Sequence, residues 1–138
     1  MPGKRAIKRG ATSLFERAAF EAFILKLPAT TLVRQWGDAS VGKLGGRIFA
    51  IYALGEAAAV SFKCSDMAFD MLPELAGISP APYLARAKWV QVEPTAPLTE
   101  AELSAYVAEA HRLVAAKLTR QQRAELGLAA LKAAPRRS

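Results

Sequence analysis

The stretch from Trp36 to Cys64, WGDASVGKLGGRIFAIYALGEAAAVSFKC, limits the fold of this chain more than any other part. Glycine-containing pairs interrupt runs of β-branched and aromatic residues, which is typical of strands joined by tight turns. The predicted turns are Gly37-Asp38, Gly45-Gly46 and Gly55-Glu56. The stretch therefore predicts an antiparallel sheet in which successive strands are neighbours.

Side-chain alternation assigns faces to the best of these strands, 47–54. Residues with even numbers, from Ile48 to Leu54, fall on one side, and Phe49 and Ile51 fall on the other. The flanking strands are predicted over 39–44 and 58–64.

Helices are predicted on both sides of this stretch. Three of them start at capping boxes, in which a serine or threonine precedes a glutamate or glutamine by three residues. The boxes begin at Ser13, Thr99 and Thr119, and the helices that follow are predicted over 14–26, 100–118 and 120–131. The remaining elements are a strand over 30–36, a helix over 66–75 capped by Ser65, a stiff proline-containing loop over 78–83 and a strand over 87–92.

The predicted order, α-β-β-β-β-α-β-α-α, separates runs of strands from runs of helices. This order is typical of the α+β class, here two layers with an antiparallel sheet and protruding β-hairpins. Helices are expected on one face of the sheet, which leaves the other face free for a partner or solvent.

The net charge of +7 comes from the two ends of the chain. Seven cations without any acid lie outside residues 10–131, so that segment keeps 12 basic residues (19 − 7) and 12 acidic ones. We therefore expect a basic tail over 1–12, a single domain over 13–131 and a second basic tail over 132–138. Such tails bind nucleic acid or anionic surfaces through charge alone, or simply remain solvated.

Composition also indicates the compartment. No apolar run reaches the roughly 20 residues that cross a bilayer, so no membrane partner is expected. The single cysteine, Cys64, excludes an internal disulfide framework and favours a reducing, cytoplasmic location.

No catalytic, metal or cofactor site is predicted. The one nucleophile–base pair on offer is Cys64 with His111, but Cys64 shares the apolar side of its strand with Val60 and Phe62, and His111 borders the apolar stripe of its helix. No set of His, Cys, Asp or Glu has the spacing of metal ligands. Residues 42–46, GKLGG, lack the strand-to-helix phosphate-loop pattern. We therefore do not expect an enzyme.

Cations near the predicted hairpins form the candidate binding site. Basic side chains mixed with aromatic rings can grip a nucleic-acid backbone. An ordinary solvated sheet face explains the same residues equally well. The candidate nucleic-acid-binding residues are Lys43, Arg47, Lys63, Arg86, Lys88 and Trp89.

Several short segments have an order and spacing that fit a known family as a set. They are the hairpin GGRIFA at 45–50, VSFKC at 60–64, Ile78 to Tyr83, Trp89-Val90, and the segments HRLV and KL at 111–114 and 117–118. Through these segments the chain resembles the MmcQ/YjbR family, which is described as having a double-wing DNA-binding motif. The resemblance covers roughly residues 13–120. Arg47 stands where the family often has lysine, which keeps the charge and changes its geometry.

The resemblance implies a compact α+β fold whose β-hairpins are the wings, and DNA as the partner. Two alternatives remain open. The chain could be a protein-interaction module that uses the open sheet face or an edge strand. It could also be an enzyme or a small-anion binder around Arg47, Lys63 and Trp89.

Overall fold

The computed structural model describes residues 13–54, 58–82 and 84–128, which form a six-stranded antiparallel sheet with helices. The order across the sheet is β1-β2-β3-β4-β6-β5. The α+β class and the antiparallel sheet are therefore confirmed. In chain order, the strands are β1 (Thr30–Gln35), β2 (Ala39–Leu44), β3 (Arg47–Tyr52), β4 (Val60–Lys63), β5 (Ile78–Pro80) and β6 (Trp89–Val92).

The helices form a layer on one face of the sheet. In this layer α1 packs against β1 and β2, while α3 packs against β3 and β4. Phe20, Ile24, Phe62, Leu103 and Val107 are completely buried between the two layers. None of the helices in the described part of the chain is both long and apolar enough to span a membrane. The α-helices are α1 (Arg17–Lys26), α2 (Asp66–Met71), α3 (Glu100–Lys117) and α4 (Arg120–Glu125), and Leu72–Glu74 and Ala85–Ala87 are short 3-10 helices.

The two glycines at 45 and 46 make the β2–β3 hairpin, as predicted. Gly45 has φ +60° and Gly46 has φ +80°, which are left-handed values that side chains disfavour. Gly45 also packs tightly, because a Cβ atom there would lie 3.2 Å from Leu126 Cδ1. The turn at Gly37 is likewise present, with φ +84°. The predicted turn at Gly55-Glu56 lies outside the described residues.

Replacing both hairpin glycines with valine should destabilise the fold by roughly 1–3 kcal/mol for each strained residue. In single alanine variants, Gly45→Ala should cost more than Gly46→Ala, since only Gly45 has a close neighbour. Urea unfolding followed by circular dichroism measures both effects. Wild-type stability of the double valine variant would contradict this turn geometry.

Three of the four predicted helix caps are present. The hydroxyls of Ser65, Thr99 and Thr119 each accept a hydrogen bond from the backbone of the first helical turn, and the last two form complete capping boxes. The predicted box at Ser13 is wrong. Helix α1 begins only at Arg17. The Ser13 hydroxyl accepts a hydrogen bond from the backbone N–H of Phe15, which precedes that helix, and it donates one to Glu100 at the start of α3. Ser13 therefore links the chain to α3 and does not cap α1.

A β-bulge shifts the side-chain phase of β3. The register pairs Gly42 with Ala50 and Lys43 with Ile48, so Phe49 is the extra residue. As a result Phe49 packs in the main core together with Ala50, while Ile48 and Ile51 face the second side of the sheet. The predicted alternation, with Phe49 and Ile51 on one face, is wrong because it assumed an unbroken pleat.

The second face of the sheet is partly covered. Residues predicted as a loop at 78–80 form the edge strand β5, where Pro80 is tolerated at the strand's end. The chain after β5 then packs Ala81 against Val41, Ile51 and Trp89 in a smaller core. The expectation of a free second face is therefore wrong in its central part.

Several elements are shorter than predicted. Strand β3 stops before Ala53 (φ +64°), and β6 starts after Lys88 (φ +67°), because left-handed residues interrupt extended backbone. Helix α2 changes to a 3-10 turn at Leu72–Glu74, where Pro73 lacks a backbone N–H. Helix α4 ends before Gly127 (φ +77°), and residues 129–131 of its predicted extent are outside the described part.

Candidate nucleic-acid interface

The ends of four neighbouring strands bring the predicted cations together at one end of the sheet. The register pairs Leu44 of β2 with Arg47 of β3, and Lys63 of β4 with Trp89 of β6. In the antiparallel sheet, these strand ends lie side by side. Neighbouring strands are about 4.8 Å apart, so the row spans roughly 15 Å. We call this row, together with the turn before β6, the basic end: Lys43, Arg47, Lys63, Arg86 and Lys88.

Two arginines are the most accessible charges of the basic end. Arg47 begins β3 next to the hairpin, and Arg86 lies in the 3-10 turn before β6. Both are exposed, and neither forms an ion pair with another described residue. Lys43 is half-buried on β2. An incoming anion therefore meets the two guanidinium groups without having to displace a carboxylate.

Lys63 at the end of β4 and Lys88 just before β6 are held by contacts within the protein. The ammonium of Lys63 donates a 2.9 Å hydrogen bond to the carbonyl of Ala87. Burial lowers the pKa of Lys63 below its ordinary value, and the charge of Lys117 lowers it further. The ammonium of Lys88 lies 5.0 Å from the centre of the Phe69 ring, in a cation–π contact.

The aromatic part of the predicted site is different. Trp89 is only 4% exposed and packs in the smaller core with Ala39, Val41 and Ile51, so its ring is not available for stacking on a base. Tyr83, which also belongs to the resemblance, lies outside the described residues. The candidate interface therefore consists of cations, and Trp89 belongs to the smaller core.

The sequence analysis missed Lys117 and Arg120 as parts of this surface. Leu118 packs beside the hairpin, since a Cβ at Gly45 would lie 3.4 Å from Leu118 Cδ2. The end of α3 and the start of α4 are thereby held against the basic end, and both Lys117 and Arg120 are exposed. The lack of any acid between residues 110 and 124 was the available signal.

Cations at the opposite end of the strands are neutralised by acids. Arg34 pairs with Glu21 at 3.1 Å and with Asp38 at 3.0 Å, and Arg17 pairs with Asp38 at 3.2 Å. Burial alone would raise the pKa of Glu21, but hydrogen bonds from Ser40 and Arg34 outweigh it and lower the pKa. Among the described residues, the guanidinium groups of Arg17 and Arg34 at this end are therefore both paired with carboxylates.

Further acids lie at the end opposite the basic end. Glu93 follows β6 at the end opposite Lys88, and α3 begins there with Glu100 and Glu102 because its other end reaches the hairpin. Charge is therefore segregated along the strand direction, although residues 10–131 carry equal numbers of acids and bases.

The Cys64–His111 pair is not assembled. The thiol of Cys64 contacts the carbonyl of Lys88 at 3.5 Å, and burial raises its pKa to about 11. His111 is 3% exposed, its Nε2 lies 2.8 Å from the carbonyl of Pro28, and its ring meets Phe49 edge-on at 5.4 Å. Because a carbonyl only accepts, Nε2 carries the proton. Each side chain thus has a structural partner of its own.

Thiol reagents should modify Cys64 slowly in the native protein and rapidly after unfolding, because the thiolate is the reactive form. A raised pKa also sets the sign of the pH effect. The neutral thiol favours the folded state fully below the unfolded pKa, and this stabilisation is lost as pH rises through about 11. Rapid labelling of native protein near pH 8 would contradict the buried position, and Cys64→Ala should retain any binding activity.

The second face carries an apolar cavity of about 420 Å³, lined by Trp36, Leu54, Pro82 and Leu84. Its described lining is apolar, and it does not include Arg47, Lys63 or Trp89, around which the small-anion alternative was placed. In the described part of the chain, no cluster of three or more His, Cys, Asp or Glu could hold a metal ion.

These features define a class: a small α+β domain with an open antiparallel sheet, helices on one face and cations at one set of strand ends. Residues 25–113 match the YjbR family model. The chain belongs to the YjbR family, and the resemblance inferred from its motifs is confirmed.

A solved structure has the same fold. The chain is similar to the crystal structure of the Deinococcus radiodurans protein DR2400, which is assigned to the domain DUF419. The TM-score is 0.71, over 80% of this chain and 87% of that chain, with 23% sequence identity. This likeness shows the fold alone. No curated protein matches the sequence significantly.

Proposed function

We propose that this protein binds DNA through the basic end of its sheet, with the β2–β3 hairpin and the turn before β6 as the two contacting elements. One observation carries the proposal: the cations at four adjacent strand ends form no ion pair with a described acid. The cations of the opposite end are paired. A row of unpaired cations complements the negative charges of a phosphate backbone.

Rigid support favours this assignment over an ordinary solvated surface. The hairpin that carries Lys43 and Arg47 rests on Leu118 and Leu126, and the hydrogen bond from Lys63 joins β4 to the turn that carries Arg86. The cations thus stand on backbone fixed by tertiary contacts. Less side-chain and loop entropy is lost on binding when the supporting backbone is already ordered.

The test separates the domain from its predicted basic tails. Removing residues 1–9 and 132–138 takes away all of the +7 charge. Binding to a labelled duplex should weaken and lose part of its salt dependence, because fewer counterions are released. Measurable binding should remain at about 50 mM salt and fall at about 200 mM. Fluorescence anisotropy with heparin as competitor provides the measurement, and complete loss of binding would assign the activity to the tails alone.

A further inference from the structure

A second candidate surface lies on the helix layer. A groove of about 450 Å³ separates α2 from the start of α3. Its floor includes the buried Leu72 and Leu98, and Tyr106, whose ring stacks on Phe62 at 5.7 Å, forms one wall. The volume is in the range of sites that take several side chains or a small ligand. We call it the α2–α3 groove.

Exposed apolar side chains continue the groove along α2. Met67 is 70% exposed, Met71 is 52% exposed and Leu75 is 39% exposed. Met67 and Met71 are four residues apart on α2 and share one side of that helix, and Leu75 follows the 3-10 turn and lines the groove together with Met71. We call these three residues the α2 stripe. A small molecule in the groove would leave Met67 uncovered, whereas a helical or extended segment would cover the whole stripe.

The groove side of the stripe is acidic. Asp70 on α2 and Glu74 on the 3-10 turn are exposed and form no ion pair with a described residue, and Glu102 stands on the α3 side. Lys88 contacts α2 at the Phe69 ring. Residues 65–85 and 89–111 contain no lysine or arginine, but they contain seven acids. A partner for this surface therefore needs apolar side chains for the stripe and cations for its border.

We propose that the α2–α3 groove and the α2 stripe bind a basic amphipathic segment of a partner protein. Its apolar side chains lie on Met67, Met71 and Leu75, and its lysines or arginines face Asp70 and Glu74. Methionine suits this role because its flexible thioether adapts to different partner side chains. Binding of an amphipathic helix in an apolar groove is a recurring mode of peptide recognition.

A second copy of the chain fits this surface less well. Its other large exposed apolar residues in the described part are Leu25, Val33 and Trp36, which belong to α1, β1 and the β1–β2 turn. Each of these elements offers a single exposed large apolar residue, not a row of them.

The experiment uses the full chain and two labelled 14-residue helical peptides, one built from leucine and lysine and the other from leucine and glutamate. The lysine peptide should bind at least tenfold more tightly by fluorescence anisotropy. Carbon-13 labelling of the methionine methyl groups should show the Met67 and Met71 signals shifting during the titration. Replacing Arg47 and Arg86 with alanine should leave this binding unchanged.

Charge reversal provides the decisive variant. Asp70→Lys with Glu74→Lys should invert the peptide preference, so that the glutamate peptide binds more tightly than the lysine peptide. The control variant, Glu16→Lys with Glu93→Lys, changes the net charge by the same amount. It should still bind the lysine peptide more tightly. All four positions are exposed, and melting temperatures check that both variants fold. Equal binding of the two peptides would overturn the proposal in favour of general apolar adhesion. Methyl shifts on raising the protein concentration without peptide would overturn it in favour of a second copy.

Discussion

Arg47→Ala combined with Arg86→Ala should lower the affinity of the full chain for duplex DNA by roughly 50- to 100-fold in 0.1 M salt. Each lost phosphate contact makes the negative slope of log K against log salt shallower by about 0.9. At this salt concentration, that change lowers the binding constant on the order of tenfold. The two guanidinium groups are exposed and unpaired with described acids, so their removal should leave the fold intact. Anisotropy titrations at several salt concentrations give both the affinity and the slope. The magnitude of the slope should decrease by about 2.

A matched variant separates position from net charge. Arg34→Ala with Arg112→Ala removes the same two charges, but Arg34 lies at the opposite end of the sheet and Arg112 pairs with Glu109 on α3. This variant should bind DNA nearly as well as the wild type. If both variants lose affinity equally, total charge determines binding, and the basic end has no special role.

Phe49→Ala should destabilise the protein by roughly 3–5 kcal/mol, whereas Ile48→Ala should cost only about 1 kcal/mol. The bulge turns Phe49 into the main core, where it is completely buried and meets the ring of His111. Ile48 is half-buried at the border of the smaller core. Unfolding in urea, with the slope compared between variants, measures both changes.

The reverse order of the two costs would mean that β3 is regular and that Ile48 faces the helices. Gly42→Ala offers an independent check of the same region. A Cβ at Gly42 would lie 3.0 Å from Ile24 Cγ2 and 3.4 Å from the Phe49 ring, so this change should also destabilise the packing of α1 on β2.

Local signals in the sequence were sufficient for much of the fold. Gly45-Gly46 and the threonine caps at 99 and 119 act through backbone geometry and hydrogen bonds within a few residues, so the sequence contains all the information they need. The bulge at Phe49 could not be predicted, because it depends on how β2 and β3 pair. Ser13 failed as a cap for a similar reason, since its partner Glu100 is distant in the chain.

The sequence indicated that the candidate cations lie near one another, but it did not indicate that Trp89 is buried. Lys43, Arg47, Lys63, Arg86 and Lys88 do meet at one end of the sheet, because adjacent strands run in opposite directions. Burial of Trp89 depends on the chain after β5 folding back over the second face. That path depends on long-range contacts, and two prolines alone indicate only that the segment is stiff.

The separation of charge along the strands gives the folded core an electric dipole moment even though residues 10–131 have no net charge. In the field of a polyanion, a body of this kind turns its positive end forward before any contact forms. Encounters would then begin in a productive orientation. The association rate of a chain without its tails should therefore fall as salt is added. A zero net charge by itself would predict no such salt dependence.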